Sequence, residues 1–503
     1  MEHGMKVFIL AAGVGSRLRP LTDMKPKCLV RVGGKPILAY QIEAYLESGL
    51  NAGDIIIAGG YRTDMMDAYL KNNFPGVVLI ENKVYDTTNN MFSLHYALKE
   101  MGIDENEGII INNGDCIYDS HIISGIISDS RHDTVAVHRD EYLAESMKVA
   151  VTDGIIRTIS KEIPESEAFG VSIDLYRLSH VSAIKLLEIM ENYVVAQNQK
   201  NLWTEVALQD LFNICDFAPF DIQNRDWIEI DNFNDLLLAD RMFSKFDIGR
   251  KKCLVSDLDG TVYLGNTPID RAVRFIQKSS PEKEFFFLTN NTSKIPDDYV
   301  ERLNSMGITT DRTHIIAPHL PMIKYLRGES IDRVFLMANK RYSDFLTGEM
   351  PGLKTDVVSQ SCQAVIVTFD TELTYDKLKE AALLLQNPEV KFLATHHDKV
   401  CPTENGPIPD AGSIIALLHS ATGREPDKIF GKPNQELLYQ VVQKYNKDDI
   451  AIIGDRLYTD KVLAENAGID FVLVLSGESN RTDAENWELS PALILNNMGD
   501  LLE

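Results

Sequence analysis

Cysteine is sparse and unpaired in its spacing: Cys28, Cys116, Cys215, Cys253, Cys362 and Cys401 never fall as C-x-x-C. That excludes the usual zinc-site and disulfide frameworks and fits a reducing cytoplasm. Basic residues are also short, 50 Lys and Arg against 74 Asp and Glu, for a formal charge of -24. Such a surface repels a phosphodiester backbone or an anionic bilayer, so neither nucleic acid nor membrane is expected as a partner. Long apolar runs are missing as well. Residues 7–12 form the only one near the start, too short and too soon followed by glycine to be a signal peptide or a membrane span. No low-complexity stretch interrupts a chain that is 44% hydrophobic and 25% charged, an ordinary globular composition. At 503 residues the chain exceeds the size at which one core keeps growing, so two or three domains are expected.

What is present is an alternation. Apolar runs at 6–12, 54–58 and 77–81 are separated by amphipathic stretches at 37–48 and 63–72, the rhythm of a parallel α/β sheet. Near 245–252 (KFDIGRKK) the pattern lapses into a polar link, and a fresh strand begins at 253–256. The boundary is placed there, with domains at 5–244 and 250–503. The second half repeats the alternation, with strand-like runs at 285–288, 333–337, 364–368, 392–394, 450–453 and 471–475. An acidic chain that handles phosphates needs local devices: backbone N–H nests, a few placed cations and divalent metal.

The first such device follows the first strand. Leu10, Ala11, Ala12, Gly13, Val14 and Gly15 put glycines where a backbone without Cβ atoms can wrap a triphosphate and aim N–H groups at it. Arg17 adds a planar cationic donor, and Lys27, after Pro26, a second positive charge for the phosphoryl group in transfer. A lone pair of glycines would read as a tight turn, but here glycines, Arg17, Pro20, Pro26 and Lys27 form one ordered string. The string resembles the signature of nucleotidyltransferases that activate small phosphorylated compounds, among them sugar-1-phosphate nucleotidyltransferases and bacterial phosphocholine cytidylyltransferases. The likeness covers about the first 240 residues and extends to Asn112-Asn113-Gly114-Asp115 and Trp227-Ile228-Glu229-Ile230-Asp231. It implies a Rossmann-like domain with a mixed, mostly parallel sheet, in which Asp115 and Asp231 hold magnesium. Taken alone, Asp115 is equally a turn residue and Asp231 a helix N-cap.

The segment running from Tyr85 through Thr87, Thr88, Asn89 and Asn90 to Leu94 looks more like the phosphocholine cytidylyltransferase branch than the sugar branch, which favours CTP. Trp203 and Glu205 could box or pair a cationic head group, although a packed tryptophan and a surface glutamate are the plainer reading. The acceptor stays open between phosphocholine, an aminoethylphosphonate and a polyol phosphate. A sugar-1-phosphate thymidylyl- or uridylyltransferase is the alternative.

The second device is Asp257-Leu258-Asp259-Gly260-Thr261, an apolar strand ending in two aspartates that can approach one phosphate, one as nucleophile and one as proton donor. A calcium loop is excluded because Tyr263, Leu264 and Gly265 fill its later ligand positions. The string resembles the first motif of the haloacid dehalogenase superfamily, and the others follow in order: Thr289 and Asn290, then Lys432, then Asp455 and Asp460. The resemblance implies a Rossmannoid core with an inserted α/β cap, placed at about 338–425, and a phosphate monoester as substrate. It makes Asp257 the nucleophile, Asp259 the general acid and base, Thr289, Asn290 and Lys432 the phosphate-binding and charge-balancing groups, and Asp257, Asp455 and the Asp259 backbone the magnesium ligands, with Asp460 beside them. In the cap, Thr395-His396-His397-Asp398 stands where relatives have an Asn-Pro-Asp-like turn, so His396 and His397 could contact the ester, or simply form a solvated turn. The combined expectation is a bifunctional transferase and phosphatase; the contrary reading makes the second half a phosphate-sensing module without turnover.

Overall fold

The computed structural model describes residues 4–502 apart from 105, 106, 132, 140, 402, 404 and 405. The chain divides into two compact units, the first ending at Ser244 and the second beginning at Lys245. Among the described residues no helix is long and apolar enough to cross a membrane.

The first unit is organised by the strand Met5–Ala11, whose side chains are apolar on both faces. Phe8 and Leu10 enter one core and Val7 and Ile9 the other, so period-two alternation distributes a single hydrophobic run between two layers. The strands Ile55–Gly59 and Gly108–Asn113 flank it in parallel. Their helical partners include Ile37–Glu47 and Asn90–Met101. This is the α/β architecture anticipated from the alternation, but the antiparallel share of the sheet is larger than expected. Gly170–Leu178 joins Gly108–Asn113 in the opposite sense, and Lys148–Thr152 pairs with Ile155–Ser160 as a hairpin. The hairpin turn is Asp153-Gly154 with φ of 54° and 77°, a pair of left-handed residues that matches the twist of the strands it joins.

The second unit contains two parallel sheets. Six strands run in the spatial order Ile315–Ile316, Glu284–Leu288, Cys253–Asp257, Ile450–Gly454, Asp470–Val474 and Leu493–Leu495. A separate four-stranded sheet is built from Val334–Met337, Ala364–Val367, Lys391–Ala394 and Lys428–Ile429. The expected cap limits of 338–425 are too narrow, since the first and last of these strands lie outside them. The helix His319–Gly328 also belongs there, packing Met322, Ile323 and Leu326 against Val334. A parallel strand reads alike whichever sheet it joins, so periodicity could not assign 333–337 to the cap.

His319, 5% exposed and edge-on to Phe345, is held neutral by burial and by the nearby Arg312 charge, its imidazole depressed to about 3. The unfolded chain takes a proton near pH 6.5 that the folded unit refuses, so this contribution is complete above that pH and is lost as pH falls toward 3. Replacing His319 by Phe should therefore recover about 2 kcal/mol of the stability that the parent loses between pH 7 and pH 5. The measurement is urea unfolding followed by Trp487 fluorescence in a Trp203→Phe, Trp227→Phe background; equal losses in parent and variant would refute the assignment.

Candidate functional sites

In the first unit the register pairs Leu10 with Asn113, which sets the glycine loop beside the turn carrying Asp115. Gly114 N–H donates to the Leu10 carbonyl at 2.9 Å and closes that edge. Cys116–Tyr118 then pairs antiparallel with Trp227–Glu229, and Ile230 N–H donates to the Asp115 carbonyl at 3.0 Å. This short ribbon carries Asp231 to Asp115 across more than a hundred residues of sequence. Lys27 Nζ donates to Asp115 Oδ2 at 2.7 Å and to Asp231 Oδ1 at 3.0 Å. Arg17 Nη1 reaches Asp231 Oδ2 at 2.9 Å. The approach of Lys27 depends on Gly15: its φ is 66°, and a Cβ there would stand 2.8 Å from the Lys27 Cβ.

All the first-site residues singled out from the sequence thus surround one place, with Leu10 and Ala11 largely buried and contributing backbone. Within the carboxylate cluster itself, Glu229 was missed. A carboxylate oxygen from each of Asp115, Glu229 and Asp231 lies within 4.8 Å of the others, a set able to hold a metal ion. Glu229 and Asp231 are two apart on an extended segment and share a face, a signal present in the Trp227-to-Asp231 string. Burial, with Asp115 and Asp231 adding repulsion, pushes Glu229 up to about 7. Burial alone would lower the Lys27 ammonium, but Asp115 and Asp231 outweigh it and hold it raised. Asp231 is lowered because Lys27 and Arg17 overcome its own desolvation.

A cavity of about 400 Å³ opens beside this cluster, with Lys161, Asp174, Trp203 and Glu205 in its wall. Trp203 is 47% exposed, not packed away, and Glu205 is 6% exposed, not a surface residue. The Tyr176 hydroxyl lies 3.3 Å from Asp174 Oδ1 and 3.2 Å from Glu205 Oε1. Burial raises both carboxyls, and Asp174 is driven further by the charges of Glu205, Glu229 and Asp115. Lys161 Nζ sits 5.3 Å from the Trp203 ring. A smaller cavity of about 210 Å³ adjoins the first, sharing Gly13, Asn89 and Asp115 and lined further by Ala12, Tyr85 and Thr88.

In the second unit the strands Cys253–Asp257, Glu284–Leu288 and Ile450–Gly454 run side by side and release their loops at one edge. Lys432 Nζ, 3% exposed as a residue, donates to Asp257 Oδ1 at 2.5 Å and to Asp460 Oδ1 at 2.7 Å. Its backbone N–H donates to Asn290 Oδ1 at 2.7 Å. Asp257, Asp455 and Asp460 each offer an oxygen within 4.8 Å of the others. Asp455 Oδ2 accepts from Glu478 N–H at 2.7 Å, whereas Asp455 Oδ1 is buried with no partner among the described residues, which suits a divalent cation. The Asp259 side chain lies outside that trio, its Oδ1 accepting from Gly265 N–H at 3.4 Å. Gly260, at φ 89°, leaves room for Asp455 that a Cβ would fill.

Burial raises Asp257 to about 8, with Lys432 pulling it down and Asp460 and Asp455 pushing it up. Asp455 is raised to about 6 by burial and Asp460. Thr289, Asn290, Lys432, Asp455 and Asp460 all gather around Asp257, the six drawn from four separate strand ends. His396 does not join them. It is fully buried, its Nε2 2.8 Å from Asp410 Oδ1 and its Nδ1 3.0 Å from Thr395 Oγ1, so the expected contact with an ester is replaced by a clamp on the start of the helix Ala411–Thr422. His397 is exposed. Asp398 of the same turn does reach the site: Asn290 Nδ2 donates to its Oδ2 at 3.2 Å.

Comparison with known proteins agrees with this division. Residues 7–167 match the MobA-like NTP transferase domain family. Residues 254–349 match the haloacid dehalogenase-like hydrolase family, and 429–501 a second HAD-hydrolase-like family. The acid sugar phosphatase of Staphylococcus saprophyticus is 29% identical over 256 residues, covering 50% of this chain and 97% of that protein. The acid sugar phosphatase of Staphylococcus aureus is 28% identical over 258 residues, covering 50% and 96%. The solved 4-nitrophenylphosphatase of Thermotoga maritima is 34% identical, covers 50% of this chain and 97% of its own, and has a TM-score of 0.46. The chain therefore joins members of two families, a MobA-like NTP transferase domain followed by a haloacid dehalogenase-like hydrolase.

Proposed function

We propose that the first unit transfers a cytidylyl group from CTP to a small acceptor bearing a phosphate or phosphonate. An acceptor oxygen forms a bond to the α-phosphorus, the bond from that phosphorus to the bridging oxygen breaks, and pyrophosphate leaves. The observation that carries this reading is the convergence of Lys27 and Arg17 on Asp115 and Asp231 at the mouth of the glycine loop. Magnesium held by Asp115 and Asp231, with Glu229 beside them, would neutralise the two anions brought together. The loop N–H groups cradle the triphosphate, and Lys27 and Arg17 exchange carboxylates for phosphate oxygens as it enters. The preference for cytidine rests on the likeness of the 85–94 segment, which borders the smaller cavity.

For the acceptor, the wall formed by Asp174, Glu205 and Trp203 favours an ammonium-bearing head group over a neutral polyol. The ionised forms of Asp174, Glu205 and Glu229, all disfavoured by desolvation, gain from an incoming cation a compensation that a hydroxyl does not supply. Aminoethylphosphonate and phosphocholine are thus preferred to a polyol phosphate.

The second unit is proposed to hydrolyse a phosphate monoester through an aspartyl-phosphate. Asp257 attacks phosphorus while Asp259 gives a proton to the departing alcohol oxygen. Asp259 then takes a proton from water, whose oxygen attacks phosphorus and frees Asp257 and inorganic phosphate. Lys432 opposes the rise that burial imposes on Asp257, Thr289 and Asn290 hold phosphate oxygens, and magnesium at Asp257, Asp455 and the Asp259 carbonyl would favour the ionised nucleophile. Two of the relatives are named acid sugar phosphatases, which makes a sugar or polyol phosphate the first class to try. Free cysteines throughout the described residues suit work in a reducing cytoplasm.

Asp115→Asn should cut CTP-dependent pyrophosphate release by roughly a hundredfold or more while ester hydrolysis stays unchanged, and Asp257→Asn should do the reverse. Both rates are read on the full chain; undiminished pyrophosphate release in the first variant, or undiminished hydrolysis in the second, would remove that half of the proposal. A panel of CTP, UTP and dTTP with one acceptor tests the nucleotide. Glu205→Gln should lower kcat/KM about tenfold for aminoethylphosphonate and phosphocholine but hardly alter any turnover with glycerol phosphate. A uniform drop across acceptors would count against the cationic head group.

A further inference from the structure

Asp398 is the one cap side chain for which the described residues leave a buried carboxylate oxygen unused beside the phosphatase site. The residue is 9% exposed. Its Oδ2 accepts from Asn290 Nδ2 at 3.2 Å and lies 3.6 Å from Arg456 Nη1, while its Oδ1 is fully buried with no hydrogen-bond partner among the described residues. Asn290 is in turn tied to the Lys432 backbone, and Lys432 to Asp257, so Asp398 stands two side chains from the nucleophile. A charged oxygen that has given up water without a replacement is costly, and a site retains such a group where a ligand supplies the missing donor.

We infer that Asp398 is a specificity residue of the phosphatase, accepting a hydrogen bond from a hydroxyl group on the leaving-group side of the ester. The inference rests on the phosphatase reading given above. The donor cannot belong to the phosphate group, an anion that a carboxylate repels and that Asp257, Thr289, Asn290 and Lys432 already claim. It belongs to the alcohol portion, which must extend away from Asp257 toward the cap. A hydroxyl is favoured over an ammonium because the Arg456 guanidinium already balances the Asp398 charge, and a second cation would be repelled by it. Arg456 is itself fixed by Glu478 at 2.8 Å, so it cannot swing over to both oxygens without abandoning that partner. The substrate class is therefore a phosphate monoester of a polyol or sugar with a free hydroxyl near the ester oxygen.

The test compares glycerol 3-phosphate, phosphoethanolamine and 4-nitrophenyl phosphate, whose leaving group carries no donor, on the full chain. Asp398→Ala should lower kcat/KM for glycerol 3-phosphate, chiefly through KM, at least tenfold more than for 4-nitrophenyl phosphate, which shares only the loss of the Asn290 contact. Asp398→Asn, which is isosteric and keeps a neutral acceptor, should show the same split at about threefold. Equal losses on both substrates in both variants would make Asp398 a latch between cap and core and overturn the inference. So would unchanged kinetics, or a parent enzyme that prefers phosphoethanolamine to glycerol 3-phosphate. If the parent chain fails to hydrolyse 4-nitrophenyl phosphate at all, the phosphatase reading falls and this inference with it, a result distinct from hydrolysis without the split.

Discussion

Carboxylates crowded into low-dielectric space repel one another, and each unit resolves that conflict in the same way, with one lysine whose ammonium bridges two aspartates. Lys27 lies between Asp115 and Asp231, and Lys432 between Asp257 and Asp460. Burying such a cation costs several kcal/mol, and it is offset only where the partners are close and ionised, which the distances of 2.5 to 3.0 Å provide. The lysine is also the group that a phosphate can take over. Removing either aspartate would leave its lysine a single partner, so these contacts hold loop positions as well as the charges.

The loops meet because parallel strands release them at the same sheet edge, the place where open α/β sheets bind ligands. In the second unit Asp257, Thr289 and Asp455 each follow a strand of one six-stranded sheet. Lys432 follows the short strand Lys428–Ile429 of the other sheet, so the residue that balances Asp257 is delivered from the chain's return out of the cap. The first unit differs, since Asp231 is brought in by a two-stranded ribbon and not by the main sheet. Strand register in the main sheet therefore sets one aspartate there, and a long-range antiparallel pairing outside it sets the other.

Much of this was legible in the sequence because the relevant signals are local. Apolar runs bounded by glycine or aspartate located the strands to within a residue or so, as at Cys253–Asp257 and Ile450–Gly454. Signals that depend on which strand meets which were not legible. The cap sheet begins at Val334–Met337, a run indistinguishable from the core strands before it. Asp153-Gly154 did carry a local sign, a turn pair between two β-rich runs, yet it was absorbed into the helix-strand rhythm. Glu229 was hidden by its position between Trp227 and Asp231, and Asp174 by lying inside a strand that reads as core. His396 went the other way: beside His397 in a turn it suggested a ligand contact, whereas Asp410, fourteen residues on, claims its ring.

The acidity of the chain, -24 overall, follows through to its phosphate sites instead of being relieved there. Around the first cavity stand Asp115, Glu145, Asp174, Glu205, Glu229 and Asp231 against Arg17, Lys27 and Lys161. At an effective dielectric near 20, each like-charge pair about 4 Å apart costs roughly 4 kcal/mol before screening. With Lys27 and Arg17 already engaged by carboxylates, Lys161 alone cannot draw in a triphosphate carrying several further negative charges. Either some carboxyls take up protons, as the elevation of Glu229 to about 7 permits, or a divalent cation enters with the nucleotide. The second route would keep Asp115 and Asp231 ionised as ligands and would free Lys27 and Arg17 for phosphate. The same balance governs the second unit, where Lys432 and the nearby Arg456 face Asp257, Asp455 and Asp460, and where Asp455 Oδ1 has no partner among the described residues.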